Sequence, residues 1–420
     1  MKMLKLALRS LRNRRTTALL TISTIAISVA LLLGVEKVRS AARDGFANTV
    51  SGVDLIVGAR SGQLNLLLYS VFRVGDPTTN VSWESYRKIA NHPDVAWTIP
   101  ISLGDSHRGF RVMGTNGDYF KYYRFAGDRA MRFTAGRPFE DLYEAVLGAD
   151  VAKQLGYPVG SKIIIAHGIG NVSFAEHGDK PFIVVGVLER TGTPIDRTVH
   201  VNLEAITAIH IDWQSGMQAL PGARIGADQA RALNLTPQSI TAFMVGMESK
   251  VMTFTMQRAV NEYRQEPLLA IIPGMALSQL WSLVGIADTA LMIIAALVVL
   301  SGLLGMLTAI LTSLNERRRE MAILRSVGAK PRHVFALLIA EAGMLASTGV
   351  AAGVALCYGL VFLVRPLLEH RLGIFLDLGG LTHYDFAILG AIIGAALLMG
   401  ALPAWRAYQN TLSDGLTIRV

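Results

Sequence analysis

The sequence predicts an α-helical membrane protein with four transmembrane helices and a large α+β extracytoplasmic domain inserted between helices 1 and 2. Three observations lead there. Four long apolar runs are nearly free of charge, one close to the amino terminus and three in the last third of the chain. Between the first and second of them no run is long enough to cross a bilayer, and short β-rich pieces alternate with turn residues. The basic residues gather beside the apolar runs, where they act as orientation signals. Composition fits this division: 51% of residues are hydrophobic and 17% charged, and the mean hydropathy is +0.40. That is too apolar for an ordinary soluble protein and too polar for a compact carrier of many spans.

Residues 1–15 alternate Lys2, Lys5, Arg9 and Arg12 with Leu4, Leu8 and Leu11, giving a basic and an apolar stripe at helical spacing. This predicts a cytoplasmic amphipathic helix in the membrane interface. Helix 1 follows at 16–35. Its apolar run exceeds a signal-peptide core, so an uncleaved signal anchor is expected, although Ser40, Ala41 and Ala42 offer the small residues of a cleavage site.

Residues 36–283 form the predicted α+β core domain, with strands at 53–57, 109–113, 162–166, 182–188, 198–201 and 240–247 and helices at 83–90, 150–155 and 250–264. The stretch 64–72 is apolar enough to be core or a surface for a hydrophobic partner. The turn cluster 190–197 reads as a polar, exposed loop whose Arg190, Asp196 and Arg197 either stay solvated or touch a partner.

Helix 2 is expected at 284–314, a charged segment at 315–332, helix 3 at 333–364, an external loop at 365–384, helix 4 at 385–405 and a cytoplasmic tail at 406–420. With the amino terminus inside, every basic cluster lies on the cytoplasmic side and the large domain lies outside. Glycines 302, 305, 349, 353, 390, 394 and 400 would let helices approach closely, or simply reflect the glycine content of membrane helices. Glu341 is an acid inside helix 3, where burial requires a partner or a polar lining.

The net charge of +9 comes without the aromatic-interleaved basic patches of nucleic-acid proteins, so nucleic acid is excluded as a partner. Cys357 is the sole cysteine, which rules out a disulfide framework within the chain. Neither H-E-x-x-H, G-x-S-x-G nor a Cys–His pair occurs, so no catalytic residue is assigned. His167, His177, His200 and His210 fall in the external domain, with Glu176 and Asp179 beside His177. Imidazole and carboxylate together bind zinc or copper, but these spacings fit no tight motif, and the reading assigns no metal site.

The charged segment is the most specific part of the sequence. Glu316 and Glu320 open a short helix, Arg317, Arg318, Arg319 and Arg325 make it basic, Met321 and Leu324 share a face, and Gly328 followed by Pro331 ends it. The run Glu-Arg-Arg-Arg-Glu-Met-Ala-Ile-Leu-Arg-Ser-Val-Gly-Ala resembles the "ERRREIGILRALGA" segment of the MacB/FtsX (type VII) family of ABC-transporter permeases. Residues 402–407, Leu-Pro-Ala-Trp-Arg-Ala, resemble that family's closing "P-A-x-R-A" motif. The order of parts resembles the family plan across nearly the whole chain.

The resemblance implies a permease subunit of a bacterial ABC transporter in the inner (cytoplasmic) membrane, with its large domain in the periplasm. In the family the segment 315–332 is the coupling helix that docks on the ATPase, which assigns ATPase coupling to Glu316, Arg317, Arg318, Arg319, Glu320, Leu324, Arg325 and Gly328. No G-x-x-x-x-G-K-[ST] loop occurs; residues 156–162 have the wrong spacing. The chain is therefore expected not to be an enzyme and to hold no cofactor, with ATP and Mg bound by a separate ATPase subunit. The resemblance further implies a homodimer, or a heterodimer with a related permease, and a periplasmic adaptor, hydrolase or lipoprotein as companion. The work implied is export or extraction of a lipophilic, peptide or lipoprotein substrate. Alternatives are mechanotransmission to a periplasmic hydrolase or sensor without transport, and envelope transport related to divalent metals.

Overall fold

The computed structural model describes residues 7, 11–12, 14–47, 49–168, 178–214, 217–218, 225–316, 326, 328–372 and 379–409. They divide into two units, Met1–Ala41 with Gly285–Val420, and Ala42–Val284.

The second unit is organised on one 11-stranded sheet. Its strands are β1 (Leu55–Ala59), β2 (Val95–His107), β3 (Phe110–Thr115), β4 (Phe133–Gly136), β5 (Glu144–Leu147), β6 (Lys162–Ile163), β7 (Ala166–His167), β8 (Phe182–Leu188), β9 (Thr198–Asn202), β10 (Ala242–Met247) and β11 (Leu268–Ile271). Their order is β11-β1-β10-β2-β3-β9-β5-β8-β4, with β7 added to β2 and β6 to β8. The β9–β3 and β8–β5 pairs are parallel and the others antiparallel. β2 turns into β3 through Arg108 and Gly109, at φ 47° and 83°, the double left-handed geometry of a two-residue hairpin loop.

Side chains alternate between two buried faces. In β10, Ala242 and Met244 join the apolar cluster of Ile56, Ile99 and Tyr119, whereas Phe243, Val245 and Met247 join that of Leu55, Val57 and Tyr86. Helices α2 (Trp83–Ala90), α3 (Ala149–Leu155), α4 (Leu203–His210) and α5 (Thr253–Asn261) accompany the sheet. A third cluster gathers Val112, Leu147, Val199 and Val201 from the strands with Ala205, Ala208 and Ile209 of α4. Leu66, Leu67, Tyr69, Val71 and Phe72 are buried, so the apolar stretch at 64–72 belongs to the core.

The loop at 190–197 departs from the sequence expectation of an exposed polar turn. Asp196 is fully buried, and its carboxylate accepts hydrogen bonds from Thr191 N, Thr191 Oγ1 and Gly192 N, each at 2.8 Å. Turn amides away from water need an acceptor, and a short acidic side chain supplies it. Three apolar clusters of this size are enough for the unit to hold a core of its own. Expressed alone, residues 44–275 should therefore be a monodisperse soluble domain with a cooperative thermal transition; persistent aggregation after boundary changes would show that the unit does not fold by itself.

The other unit contains helices long and apolar enough to cross a membrane, at Arg15–Ser40, Gly285–Thr312, Pro331–Arg365 and His383–Trp405. They lie within α1 (Arg15–Ala47), α6 (Pro273–Glu316), α7 (Pro331–Leu372) and α8 (His383–Gln409). α6 thus begins ahead of the apolar run that marks it in the sequence. α8 opens on a reciprocal cap: Thr382 N donates to Asp385 Oδ2 at 2.8 Å, and Asp385 N donates to Thr382 Oγ1 at 3.2 Å.

Candidate functional site

Among the described residues, two places bear on function: the apolar helices, including the residues that flank the segment between α6 and α7, and a histidine cluster at the end of α4.

In the membrane unit, small residues set the helix spacing. A methyl carbon placed on Gly349 would stand 2.8 Å from Ile25 Cβ, and one on Gly353 would stand 2.7 Å from Val29 Cβ. Gly400 meets Ala342 in the same way, at 2.6 Å. Ser28 Oγ lies 2.8 Å from Thr24 O and 3.2 Å from Val298 O, a polar link from α1 to α6. By contrast, a methyl carbon on Gly305, Gly390 or Gly394 would meet nothing within 4 Å, so these glycines of the sequence reading mark no close approach. Lys37 Nζ donates to Gly380 O at 3.0 Å and lies 3.5 Å from the buried Asp385 carboxylate, fastening the end of α1 to the start of α8. Glu341 of α7 is buried, at 5% exposure, where an acid within a membrane-spanning helix needs a partner or a polar lining.

Of the residues assigned to ATPase coupling, Glu316 is the last residue of α6, and Gly328 has φ +101°, a left-handed backbone that favours glycine, three residues ahead of Pro331, which opens α7. Arg317, Arg318, Arg319, Glu320, Leu324 and Arg325 lie outside the described residues.

The external histidines separate. His200 is buried on β9, stacks on Tyr119 at 5.2 Å between centroids, and lies with Nδ1 3.3 Å from Val146 O. Burial, helped by the Arg73 charge, lowers its pKa to about 3, so it is a neutral core residue. His177 lies outside the described residues. His167 and His210 come together, joined by Asp105, a residue the sequence reading passed over.

The fold explains the meeting. β7 pairs with β2 so that His167 faces Asp105 across the strands, and both side chains therefore share one face. α4 ends at His210 over the same spot. His210 Nε2 lies 3.2 Å from His167 Nδ1 and 3.5 Å from Asp105 Oδ1, and His167 Nδ1 lies 3.2 Å from Asp105 Oδ1. His210 Nδ1 donates to Ile206 O at 2.6 Å, which fixes its tautomer and leaves Nε2 turned to the cluster. Burial works to raise the Asp105 carboxyl, but hydrogen bonding and charge from His167 and His210 outweigh it and hold it at about 2. His210 shifts upward: burial opposes its charge, and the Asp105 carboxylate overcomes burial. Trp213 packs edge-on against His167, with centroids 4.3 Å apart. Nearby His107 is committed elsewhere, donating through Nδ1 to Ile164 O at 2.6 Å.

Residues 18–260 match the family model of the MacB-like periplasmic core domain, and residues 292–412 that of the FtsX-like permease C-terminal region. The chain belongs to the MacB/FtsX-like family of ABC transporter permeases. Its relatives include the pyoverdine export ATP-binding/permease protein PvdT of Pseudomonas aeruginosa, 26% identical over 359 residues that cover 79% of this chain and 47% of PvdT. The macrolide export ATP-binding/permease protein MacB of Salmonella typhimurium is 22% identical over 429 residues, covering 98% of this chain and 60% of that protein. The permease thus spans about half the length of the relatives it matches. Among solved structures, the periplasmic region of MacB from Actinobacillus actinomycetemcomitans is similar over 55% of this chain and 94% of its own, at 10% identity and a TM-score of 0.34.

Proposed function

We propose that this MacB/FtsX-like permease converts ATP hydrolysis by an ABC ATPase into movement of its external domain, in the inner membrane of a bacterium and with that domain in the periplasm. The observation that carries this reading is the order of parts. The MacB-like core-domain match covers 18–260, from within the first apolar helix to ahead of the second, and the Arg-rich segment 316–328 falls between the second and third apolar helices, inside the FtsX-like match at 292–412. The ATPase is supplied from outside these residues, since no phosphate-cradling G-x-x-x-x-G-K-[ST] loop occurs among them. The coupling residues are Glu316, Arg317, Arg318, Arg319, Glu320, Leu324, Arg325 and Gly328. The permease works as a homodimer or with a related permease, and the work is export or extraction of a lipophilic, peptide or lipoprotein substrate. Both relatives named above are export proteins, which favours transport over regulation alone.

Purified from native membranes in mild detergent, the chain should bring down an ABC ATPase. Replacing Arg318, Glu320 and Leu324 together with alanine should abolish that co-purification and the ATPase stimulation that accompanies it, while insertion into the membrane stays normal. Undiminished coupling in the triple variant would remove the segment 316–328 from the mechanism.

A further inference from the structure

We infer that Asp105, His167 and His210 form a divalent transition-metal site on the external domain, suited to Zn²⁺, with the fourth ligand position left to water or a ligand from solution. The inference stands on the geometry of this domain and is independent of how the ATPase couples.

Distance is the first argument. Donor atoms ~2.0–2.1 Å from a tetrahedral Zn²⁺ stand ~3.3–3.4 Å from one another. The three edges of the triangle formed by His210 Nε2, His167 Nδ1 and Asp105 Oδ1 measure 3.2, 3.2 and 3.5 Å. Those edges are the ones three ligands on a single ion would show. The donor set is the second argument. Two imidazole nitrogens and one carboxylate oxygen suit Zn²⁺ and its neighbours, whereas Ca²⁺ and Mg²⁺ take oxygen ligands in larger number.

Hydrogen-bond chemistry is the third. With its Nδ1 proton committed to Ile206 O, neutral His210 presents a lone pair at Nε2, and Asp105 presents another. These two groups stand 3.5 Å apart, with His167 Nδ1 3.2 Å from each. Lone pairs turned to one spot at these separations are the arrangement a bound metal ion uses. The carbonyl behind His210 is also the outer partner that metal-bound imidazoles use to fix ring orientation. Trp213 supplies an apolar wall against His167, while both imidazoles keep close to a third of their side-chain surface exposed, which leaves the ion a route in and out. An ion here would clip together a strand, its neighbour and a helix end that lie far apart in the chain.

The test uses the full chain in detergent, carrying a streptavidin-binding tag in place of oligohistidine and stripped with EDTA. Titrated with Zn²⁺ in a calorimeter, it should bind one ion per chain at this site and unfold at a higher temperature when loaded. In the Asp105→Asn, His167→Gln, His210→Gln triple variant, affinity should fall by at least ~tenfold and the thermal shift should vanish. Co²⁺ should give the intense visible absorption of a tetrahedral site and quench Trp213, with the quenching lost in Trp213→Phe. Absence of stoichiometric Zn²⁺ binding, or equal affinity in wild type and variant, would overturn the inference. If the triple variant fails to fold, His210→Gln alone is held to the same comparison, because that ring lies at a partly exposed helix end.

Discussion

Replacing Lys180 with methionine is expected to cost the external domain about 3–5 kcal/mol, the range for removing one partner of a buried ion pair. Lys180 is fully buried, and its Nζ lies 2.7 Å from Asp212 Oδ1 and 3.3 Å from Asp179 Oδ2. Asp212 is equally enclosed and also receives Ile225 N, at 3.3 Å. Without Lys180 it becomes a buried carboxylate with no paired cation among the described residues. The pH dependence gives a second readout. Burial works to raise the Asp212 pKa, but the hydrogen bond and charge of Lys180 prevail and set it below the ordinary carboxylate value. A depressed carboxyl stabilises the fold above its unfolded pKa, ~3.9, and loses that contribution as pH falls through the folded value. In the methionine variant the orphaned carboxyl is raised instead, so its unfolding temperature should climb as pH is lowered toward 5. The Lys180→Met, Asp212→Leu double variant should recover most of the loss. Thermal unfolding of the full chain followed by tryptophan fluorescence measures all three; a single variant as stable as wild type would show that the pair carries no such burden.

The second large effect is expected at Gly136, at the end of β4. Its φ is +77°, and a methyl carbon built there would stand 1.9 Å from Val185 O and 2.8 Å from Gly186 Cα. Both obstacles are backbone atoms in β8, so relief requires prising two strands apart. Gly136→Ala should therefore combine the cost of a left-handed backbone, about 1–2 kcal/mol, with an overpacking cost of about 1–3 kcal/mol or more. Gly127 separates the two causes, because its φ is nearly the same at +76° while nothing lies within 4 Å of the added carbon. Gly127→Ala should pay only the first cost. Equal destabilisation of the two variants would mean that strand crowding at Gly136 is not felt.

The membrane helices were legible because an uncharged apolar run has few alternatives to a span. In the external domain the strand Phe182–Leu188 and the helix Trp83–Ala90 have the bounds their residue patterns suggest. β2, the longest strand, gives no such pattern. Pro100 sits within it, opposite Phe243, and the register shifts between Leu103 and Ser106 around Gly104 at φ +149°. Proline and an irregular step break the alternation that marks a strand. Asp105 lies in this irregular strand, and its neighbours in sequence give no hint of histidines supplied by β7 and by the end of α4. Those two histidines were visible as residue types only; the pairing register that joins them to the carboxylate is a property of the sheet. The burial of Asp196 is hidden from the sequence for a related reason. A Thr-Gly-Thr-Pro turn looks the same whether it faces water or folds its amides around its own acid.

The close seating of α1 on α7 has a consequence of its own. Ile25 and Val29 occupy the gaps left by Gly349 and Gly353, so axial slip by even one residue rise, about 1.5 Å, would drive a branched side chain into backbone. Two rods that cannot shear past each other bend as a laminated beam, far stiffer than the same rods lying loose. A load applied at one end of the pair is then passed along it as rotation or translation of the whole, with little dissipated as flexing between.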